Sequence, residues 1–165
     1  MKKKKGKKIQ LCDIIDNEIK DNSLRNGFPK SFDSHIKQLK TKKIINHKDF
    51  TDIPFVTIDG QDSKDFDDAV WSETKKGITN IMIAISDVSF FIEKNDPLDL
   101  EAKKRGNSFY FPDRVIPMFP NEISNDICSL IPNKERASVV VEVKIKNFKV
   151  ISFKIHRAKT VSYTH

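Results

Sequence analysis

Apolar and polar residues alternate most regularly near the C-terminal end of the sequence. The apolar positions are Val141, Val143 and Ile145 before Asn147, and Ile151, Phe153 and Ile155 after it. A period of two places successive side chains on opposite faces of a strand. The pattern therefore predicts an antiparallel hairpin with one apolar face and one face in water.

A second hairpin is predicted nearer the middle of the chain. Two apolar runs, 69–71 and 81–85, flank the turn-forming residues Lys75-Lys76-Gly77, and this arrangement is typical of an antiparallel pair. The run 55–58 predicts a short strand that ends at acidic residues. The polar stretch 40–52 before that run predicts a loop.

A short helix is predicted after Ser31, which we expect to cap it. Phe32, Ile36 and Leu39 follow at the spacing of one helical face.

A second helix is predicted between Asp96-Pro97 and Gly106, because an acidic cap with a following proline starts helices and glycine ends them. Leu98 and Ala102 form its expected buried stripe, with Leu100 as a further candidate. Three prolines predict that residues 109–119 form an irregular loop.

These elements predict an α+β fold with a mixed, mainly antiparallel sheet and few helices. The length of 165 residues suits one domain. We expect residues 1–30 to be a basic flexible tail and linker, and residues 31–165 to be the folded domain.

Positive charge is concentrated at the start of the chain. The formal net charge is +7, and six lysines lie within the first eight residues. Such a segment keeps the chain soluble or attracts RNA by releasing counterions from phosphates. The net charge alone does not choose between these two roles.

The two cysteines, Cys12 and Cys128, have no metal-binding spacing, so the sequence predicts neither a zinc site nor a disulfide scaffold. No apolar run approaches the ~20 residues that span a membrane. We expect a cytoplasmic protein without a membrane partner.

The chemically informative segment is residues 57–69. Five aspartates fall within ten residues, at Asp59, Asp62, Asp65, Asp67 and Asp68. Carboxylates gathered in one site repel each other unless a cation or a proton offsets their charge. Oxygen ligands favour Mg²⁺, Mn²⁺ or Ca²⁺.

A solvated acidic turn is the alternative to a metal site, and the residue types leave both open. A helix–loop–helix calcium site is excluded, because counting from Asp59 places Lys64 and Val70 where glycine and glutamate are needed. A carboxylate-only site with two Mg²⁺ ions suits phosphodiester hydrolysis. The sequence contains no phosphate-binding GxxxxGK[ST] motif and no GxSxG motif.

The acidic segment also resembles a known family. The first motif is Thr57-Ile58-Asp59-Gly60 with Asp62 and Asp65-Phe66-Asp67-Asp68-Ala69, and further motifs follow at 85–89, 98–106, 108–120 and 124–130. In this order the motifs resemble the catalytic RNB domain of the ribonuclease II/ribonuclease R family. The likeness runs from about residue 28 onward, is densest over 54–132, and is closer to the ribonuclease R branch.

The resemblance implies a Mg²⁺-dependent hydrolytic exoribonuclease, with Mn²⁺ as an alternative ion. Members of the family degrade single-stranded RNA from the 3′ end and release nucleoside 5′-monophosphates. The resemblance assigns metal binding to Asp59, Asp65, Asp67 and Asp68. Among these it gives Asp67 and Asp65 the catalytic roles, with Asp67 indispensable. Asp62 matches a more variable position.

Two further residues acquire an RNA-binding expectation from the resemblance. Tyr110 falls where the family places an aromatic residue against the terminal base, whereas simple packing in the loop is its alternative. Arg114 is a candidate for a phosphate contact, with an ion pair to Asp113 as its alternative.

The resemblance covers only the N-terminal part of the catalytic domain. The remaining half and the family's RNA-binding domains have no counterpart in this sequence. We therefore expect a fragment with little independent activity. The alternative is a non-catalytic RNA-binding fragment or a remnant of a split ribonuclease gene.

Overall fold

A sheet of five strands organises the chain in the computed structural model, which describes residues 10–163. The strands are β1 (Lys48–Phe55), β2 (Asp68–Lys75), β3 (Ile78–Ser86), β6 (Glu135–Lys146) and β7 (Lys149–Ser162). Their order is β1–β7–β6–β3–β2; β1 runs parallel to β7 and the other neighbours are antiparallel. The predicted α+β fold with a mixed, mainly antiparallel sheet is confirmed.

Both predicted hairpins are present. The strands β2 and β3 are joined at Lys76-Gly77, and β6 and β7 are joined at Asn147-Phe148. All four turn residues have positive φ, with values of 51°, 73°, 49° and 60°. Two-residue turns of this kind match the right-handed twist of the strands that they connect.

Within residues 10–163, four helices accompany the sheet. They are α1 (Leu11–Asp21), α2 (Phe32–Leu39), α3 (Val88–Phe91) and α4 (Pro97–Arg105), and a π-helical turn follows at Ile123–Ile127. The prediction for α4 is confirmed, since the Asp96 carboxylate accepts hydrogen bonds from the backbone N–H groups of Leu98 at 2.7 Å and Asp99 at 3.0 Å. Gly106 ends the helix at φ 80°.

The helix α2 buries its three apolar residues, Phe32, Ile36 and Leu39, as predicted. The capping role of Ser31 was predicted wrongly. Ser31 already has helical backbone angles, and its side chain makes no capping hydrogen bond.

The helix α1 overturns part of the tail-and-linker prediction for residues 1–30. Ile15 and Ile19 are buried in a small core with Ile116. An isolated helix of eleven residues is marginal in water, so α1 depends on the apolar contact that Ile116 supplies from a distant part of the chain. The lysine-rich stretch, residues 2–8, lies outside the described residues.

Two predicted loops contain strands. The strand β1 starts at Lys48, inside the segment 40–52 that was predicted to be a loop. Residues 109–119 include a small antiparallel pair, β4 (Phe109–Tyr110) and β5 (Val115–Ile116). The strand β1 pairs with β7, which lies far along the sequence, and β4 pairs with β5 across a short turn. The polarity of each segment alone does not indicate these partners.

The buried stripe of α4 differs from the prediction at one residue. Leu98 and Ala102 are buried, but Leu100 is 45 % exposed. Glu101 and Arg105 are buried instead, because their charges pair at 3.0 Å between Nε and Oε1. Paired charges can be buried where isolated ones cannot.

The two faces of the sheet are covered differently. One face packs Phe55, Ala69, Met82, Leu130 and Val140 into a core. The other face carries Ala137, Val139, Val141 and Val143 of β6, which are two residues apart and therefore point the same way. Its Ala137 end lies under α2, α3 and α4.

The opposite end of that second face is exposed. Ile151, Phe153 and Ile155 were predicted on an apolar, buried face of the hairpin, yet they are 51 %, 66 % and 63 % exposed. The alternation correctly predicts the hairpin. The prediction of burial is wrong for these three residues, because the described chain places nothing over them.

Candidate functional site

The five aspartates lie on a closed loop between β1 and β2 and at the first residue of β2. We call residues 57–67 the acidic loop. Val56 and Val70 exchange two backbone hydrogen bonds, at 2.9 and 2.8 Å, which hold its ends together. The Ser86 N–H of β3 also donates to the Asp67 carbonyl at 2.9 Å.

A second segment, residues 128–130, holds the middle of the acidic loop. The Leu130 N–H donates to the Phe66 carbonyl at 2.8 Å. Phe66 also packs against the core that contains Leu130 and Val140. The Ser129 hydroxyl lies between Lys64 and Phe66 and bonds to both. The acidic loop is therefore fixed to the body of the domain along its second half.

Asp67 is the electrostatic centre of the acidic group. Partial burial raises its pKa, and the neighbouring carboxylates of Asp65, Asp68 and Asp59 raise it further. These are the four aspartates to which the family resemblance assigns metal binding. Asp62 is not among the carboxylates that raise the pKa of Asp67, and it lines a cavity together with Ser63, Lys64 and Asp65.

The four carboxylates do not form a finished ligand set. Within residues 10–163, no three acidic, histidine or cysteine side chains are arranged so that they could hold a metal ion together. The donor chemistry nevertheless fits a hard divalent cation, which prefers carboxylate oxygen. Holding such an ion would require the side chains to turn toward one point.

Tyr110 stands beside the acidic group on the short strand β4. Its side chain is largely exposed, at 69 %, and its hydroxyl donates to Asp65 Oδ2 at 3.2 Å. Partial burial and the Asp65 charge raise the pKa of Tyr110, so the phenol keeps its proton. The structure therefore places Tyr110 beside the acidic group, and its contact with a terminal base stays a prediction.

Two cavities meet at Tyr110. The first has a volume of about 330 Å³ and is bounded by Asp65, Asp67 and Tyr110, with apolar walls that include Val88 and Phe119. The second, of about 350 Å³, lies against Tyr110 and Asp65 as well. Volumes in this range are those of small-molecule sites.

Cys128 lies on the wall of the first cavity. Burial raises the pKa of its thiol to about 12. The side chain is therefore a neutral thiol at physiological pH and not a thiolate nucleophile.

Arg114 is engaged by two carboxylates. Its Nη2 lies 2.7 Å from Asp113 Oδ2, and its Nη1 lies 2.8 Å from Asp16 Oδ1 in α1. The ion pair with Asp113, which was the alternative to a phosphate contact, is thus present. The additional contact with α1 was not predicted.

Two polar residues anchor the surroundings of the site, and sequence reasoning missed one of them, Ser129. Asp87 is buried and accepts hydrogen bonds from the Phe90 N–H, the Ser89 hydroxyl and Arg157. Ser129 is fully buried. The available signal for Ser129 was a single hydroxyl between the apolar residues Cys128 and Leu130, which suggests a specific hydrogen-bond partner.

None of the helices in the described part of the chain is both long and apolar enough to cross a bilayer.

Comparison with known proteins yields one family and several structural relatives. A family model of the RNB domain matches residues 47–164. Ribonuclease R of Buchnera aphidicola subsp. Schizaphis graminum is 44% identical over 133 residues, which are 74% of this chain and 18% of that protein. The chain therefore spans less than a fifth of the length of this curated relative.

Solved structures agree with the fold. RNase R of Mycoplasma genitalium, in complex with ribose-methylated single-stranded RNA, has a TM-score of 0.87 and 31% identity over 93% of this chain and 25% of that one. Yeast Ssd1, a pseudonuclease, has a TM-score of 0.66 at 17% identity over 86% of this chain, which is a likeness of fold alone.

The RNB domain model covers well over half of the residues, and the matched region contains the acidic loop, both cavities and the whole sheet. The chain therefore belongs to the RNB domain family.

Proposed function

We propose that this chain carries the carboxylate centre of an exoribonuclease that hydrolyses single-stranded RNA from its 3′ end and releases nucleoside 5′-monophosphates. The observation that carries the proposal is the cavity of about 330 Å³ bounded by Asp65, Asp67 and Tyr110. Membership of the RNB domain family supports it. The RNA complex of the M. genitalium relative supports RNA as the substrate class.

Asp59, Asp65, Asp67 and Asp68 would hold Mg²⁺, or Mn²⁺ in its place. Such an ion neutralises phosphate charge and lowers the pKa of a bound water. Asp65 and Asp67 line the cavity, so we assign the catalytic roles to these two carboxylates. The repulsion that raises the pKa of Asp67 is relieved when positive charge arrives.

Tyr110 would pack against the terminal base. Stacking of a base on an aromatic ring is worth ~1–3 kcal/mol and tolerates every base. The hydrogen bond from the Tyr110 hydroxyl to Asp65 keeps the ring beside the carboxylates. A phosphate contact by Arg114 requires RNA to displace Asp16 or Asp113, so we expect Arg114 to contribute less than Tyr110.

We expect the isolated chain to have little activity. It spans 18% of the Buchnera relative and 25% of the M. genitalium chain, and electrostatic groups that surround the reacting phosphate supply much of the rate in such reactions. We propose a cytoplasmic location, because the two cysteines are few and far apart in the sequence, as is typical of proteins in a reducing compartment.

The test uses single-stranded RNA that is labelled near its 5′ end, with the chain in excess and Mg²⁺ present. We expect slow stepwise shortening with release of nucleoside 5′-monophosphates. Asp67→Asn should lower the rate at least ~100-fold. Asp62→Asn is the matched control, since it makes the same change in the same loop and should retain the rate.

If shortening of the RNA is too slow to measure, metal binding tests the proposed carboxylate centre instead. Calorimetry with Mn²⁺ should detect binding to the chain and to Asp62→Asn, and much weaker binding to Asp67→Asn. Equal binding by all three chains, or shortening that persists in Asp67→Asn, would reject the proposed centre.

The alternative function is RNA binding without cleavage by the lysine-rich stretch, residues 2–8. Its charge favours it, since six of these seven residues are lysine. It predicts affinity for RNA that falls steeply with salt and is lost when residues 2–8 are deleted. Affinity that survives this deletion excludes the lysine-rich stretch as the binding site.

A further inference from the structure

One buried hydroxyl bridges the two peptide groups that flank Asp65. The Ser129 Oγ donates to the Lys64 carbonyl at 2.9 Å and accepts from the Phe66 N–H at 3.0 Å. Ser129 is 0 % exposed. Because a hydroxyl has one donor and two acceptor positions, this single side chain satisfies a carbonyl and an amide at once.

The hydroxyl is one member of a larger set of bonds to the second half of the acidic loop. The Leu130 N–H donates to the Phe66 carbonyl at 2.8 Å, and the Ser86 N–H donates to the Asp67 carbonyl at 2.9 Å. The backbone from Lys64 to Asp67 is thus held by two different segments of the domain.

The first half of the acidic loop is built differently. The Ser63 N–H donates to the Gly60 carbonyl at 3.0 Å, so this half turns back on itself. Gly60 has open space where a Cβ would stand. Distant segments therefore hold residues 64–67, which include Asp65 and Asp67. Residues 59–61, which include Asp59, are exposed.

Ser129 is itself held in place from the sheet. Arg136 of β6 donates from Nε to the Ser129 carbonyl at 2.9 Å, and its Nη2 lies 3.4 Å from Asp126. The Ser86 hydroxyl of β3 donates to the carbonyl of Cys128, the residue before Ser129. Hydrogen bonds therefore connect the sheet to residues 128–129, and Ser129 connects these residues to the acidic loop.

Asp65 is the carboxylate whose position this support controls most directly. It lines both cavities and accepts the hydrogen bond from Tyr110. Groups that orient a metal ligand typically change metal affinity by ~10–100-fold when they are removed.

We propose that Ser129 is a positioning residue that sets Asp65 for binding the divalent cation. The inference rests on the metal centre of the proposed function. Removal of the hydroxyl leaves the Lys64 carbonyl and the Phe66 amide without their partner, so the loop relaxes and Asp65 moves away from its neighbours.

The test compares Ser129→Ala with Ser138→Ala in the full chain. Ser138 is a matched control, because it is also 0 % exposed and its hydroxyl bonds to Thr160 at 3.0 Å, between β6 and β7. Both variants should lower the midpoint of thermal unfolding. Calorimetry with Mn²⁺ should show a ~10-fold or greater loss of affinity for Ser129→Ala alone.

A second measurement, made without metal, tests whether the Ser129 hydroxyl protects the Phe66 N–H. Amide hydrogen exchange should show a protected Phe66 N–H in the unaltered chain and in Ser138→Ala, and a faster one in Ser129→Ala. Ser129→Cys replaces the hydroxyl with a somewhat larger thiol that forms weaker hydrogen bonds. Its Phe66 N–H should exchange at an intermediate rate, and this variant is used if Ser129→Ala does not fold.

The outcomes separate this inference from the proposed function. If the unaltered chain binds no Mn²⁺, the metal centre of the proposed function is refuted, and Ser129 has no cation to position. If the chain binds Mn²⁺ and Ser129→Ala binds it equally well, the positioning role is overturned while the metal centre stands. Equal losses of affinity in both serine variants also overturn it.

Discussion

The two ends of one sheet face have opposite environments. On β6 and β7 the face runs from Ala137, which is 2 % exposed beneath the helices, to Phe153 and Ile155, which are 66 % and 63 % exposed. The strands are continuous between these ends. We call them the covered end and the open end.

The contrast between the covered end and the open end shows that sharing a face and being buried are two different properties of a residue. Alternation with a period of two determines which residues share a face. Burial depends on whether another element lies over that face. At the covered end, α2, α3 and α4 supply this element from residues far away in the sequence.

The acidic site lies at the border between the two ends. Asp68 pairs with Ile85 across β2 and β3. Ile85 lines the first cavity and is 43 % exposed. The carboxylates are therefore held by bonds from residues 129–130 and from Ser86 of β3, and they adjoin the partly exposed Ile85.

The largest effect that we predict separates the covered end from the open end by the same substitution. Ile36→Ala removes a side chain that is 5 % exposed in the helical cover and should lower the free energy of unfolding by about 3 kcal/mol. Ile155→Ala removes the same atoms at the open end and should change it by less than about 0.5 kcal/mol.

Denaturation with urea measures both values. Similar losses in the two variants would mean that Ile155 is covered in solution, and the comparison between the two ends would fail.

The same physical difference explains which elements could be predicted. The helix α4 and both hairpins carry their signals locally: Asp96 before Pro97, Gly106 at the helix end, and Lys76-Gly77 in a turn. The helix α1 could not be predicted with the same ease, because Ile15 and Ile19 become buried only against Ile116.

The acidic segment of the site could be predicted, but its anchors could not, because only the former has a local signal in the sequence. The density of aspartates in residues 57–69 is a local property, and so is the family motif that it carries. The anchors of the loop are not local, since Ser129 is 65 positions from Lys64 along the chain. Nothing near Lys64 in the sequence indicates that a distant hydroxyl binds its carbonyl.

The second predicted effect concerns the ion pairs that Glu101 of α4 makes with Arg25 and Arg105. Glu101 accepts hydrogen bonds from Arg25 at 2.7 Å and from Arg105 at 3.0 Å. The hydrogen bond from Arg25, with the charges of both arginines, lowers the pKa of Glu101. Glu101→Gln should lower the free energy of unfolding by about 2 kcal/mol at pH 7.

The pH dependence follows from the direction of this shift. The folded state holds Glu101 ionised more strongly than the unfolded state does, so its contribution is complete above pH ~4.3, the ordinary value for glutamate. It is lost as the pH falls through the lower pKa of the folded state. The difference between the chain and Glu101→Gln should therefore shrink toward acidic pH.

Unfolding by urea between pH 7 and pH 3 tests this prediction. Glu122→Gln provides the control, because Glu122 is exposed, and it should stay within about 0.5 kcal/mol of the unaltered chain. A gap between the chain and Glu101→Gln that stays constant over the whole range would contradict the assigned ion pairs.

The smallest change in stability is predicted for a substitution at the open end. There we expect the substitution to change the association of the chain with other copies of itself. Contiguous exposed apolar residues favour contact between molecules, so the chain should self-associate as its concentration rises. Phe153→Lys should reduce this association and change the free energy of unfolding by less than about 0.5 kcal/mol. Phe148→Lys makes the same replacement in the turn, off the open face, and should have a weaker effect on association.

Sedimentation velocity measures the association of the chain and of the two variants. A chain that stays monomeric at every concentration, or two variants that act equally, would show that the open end is no more adhesive than the rest of the surface.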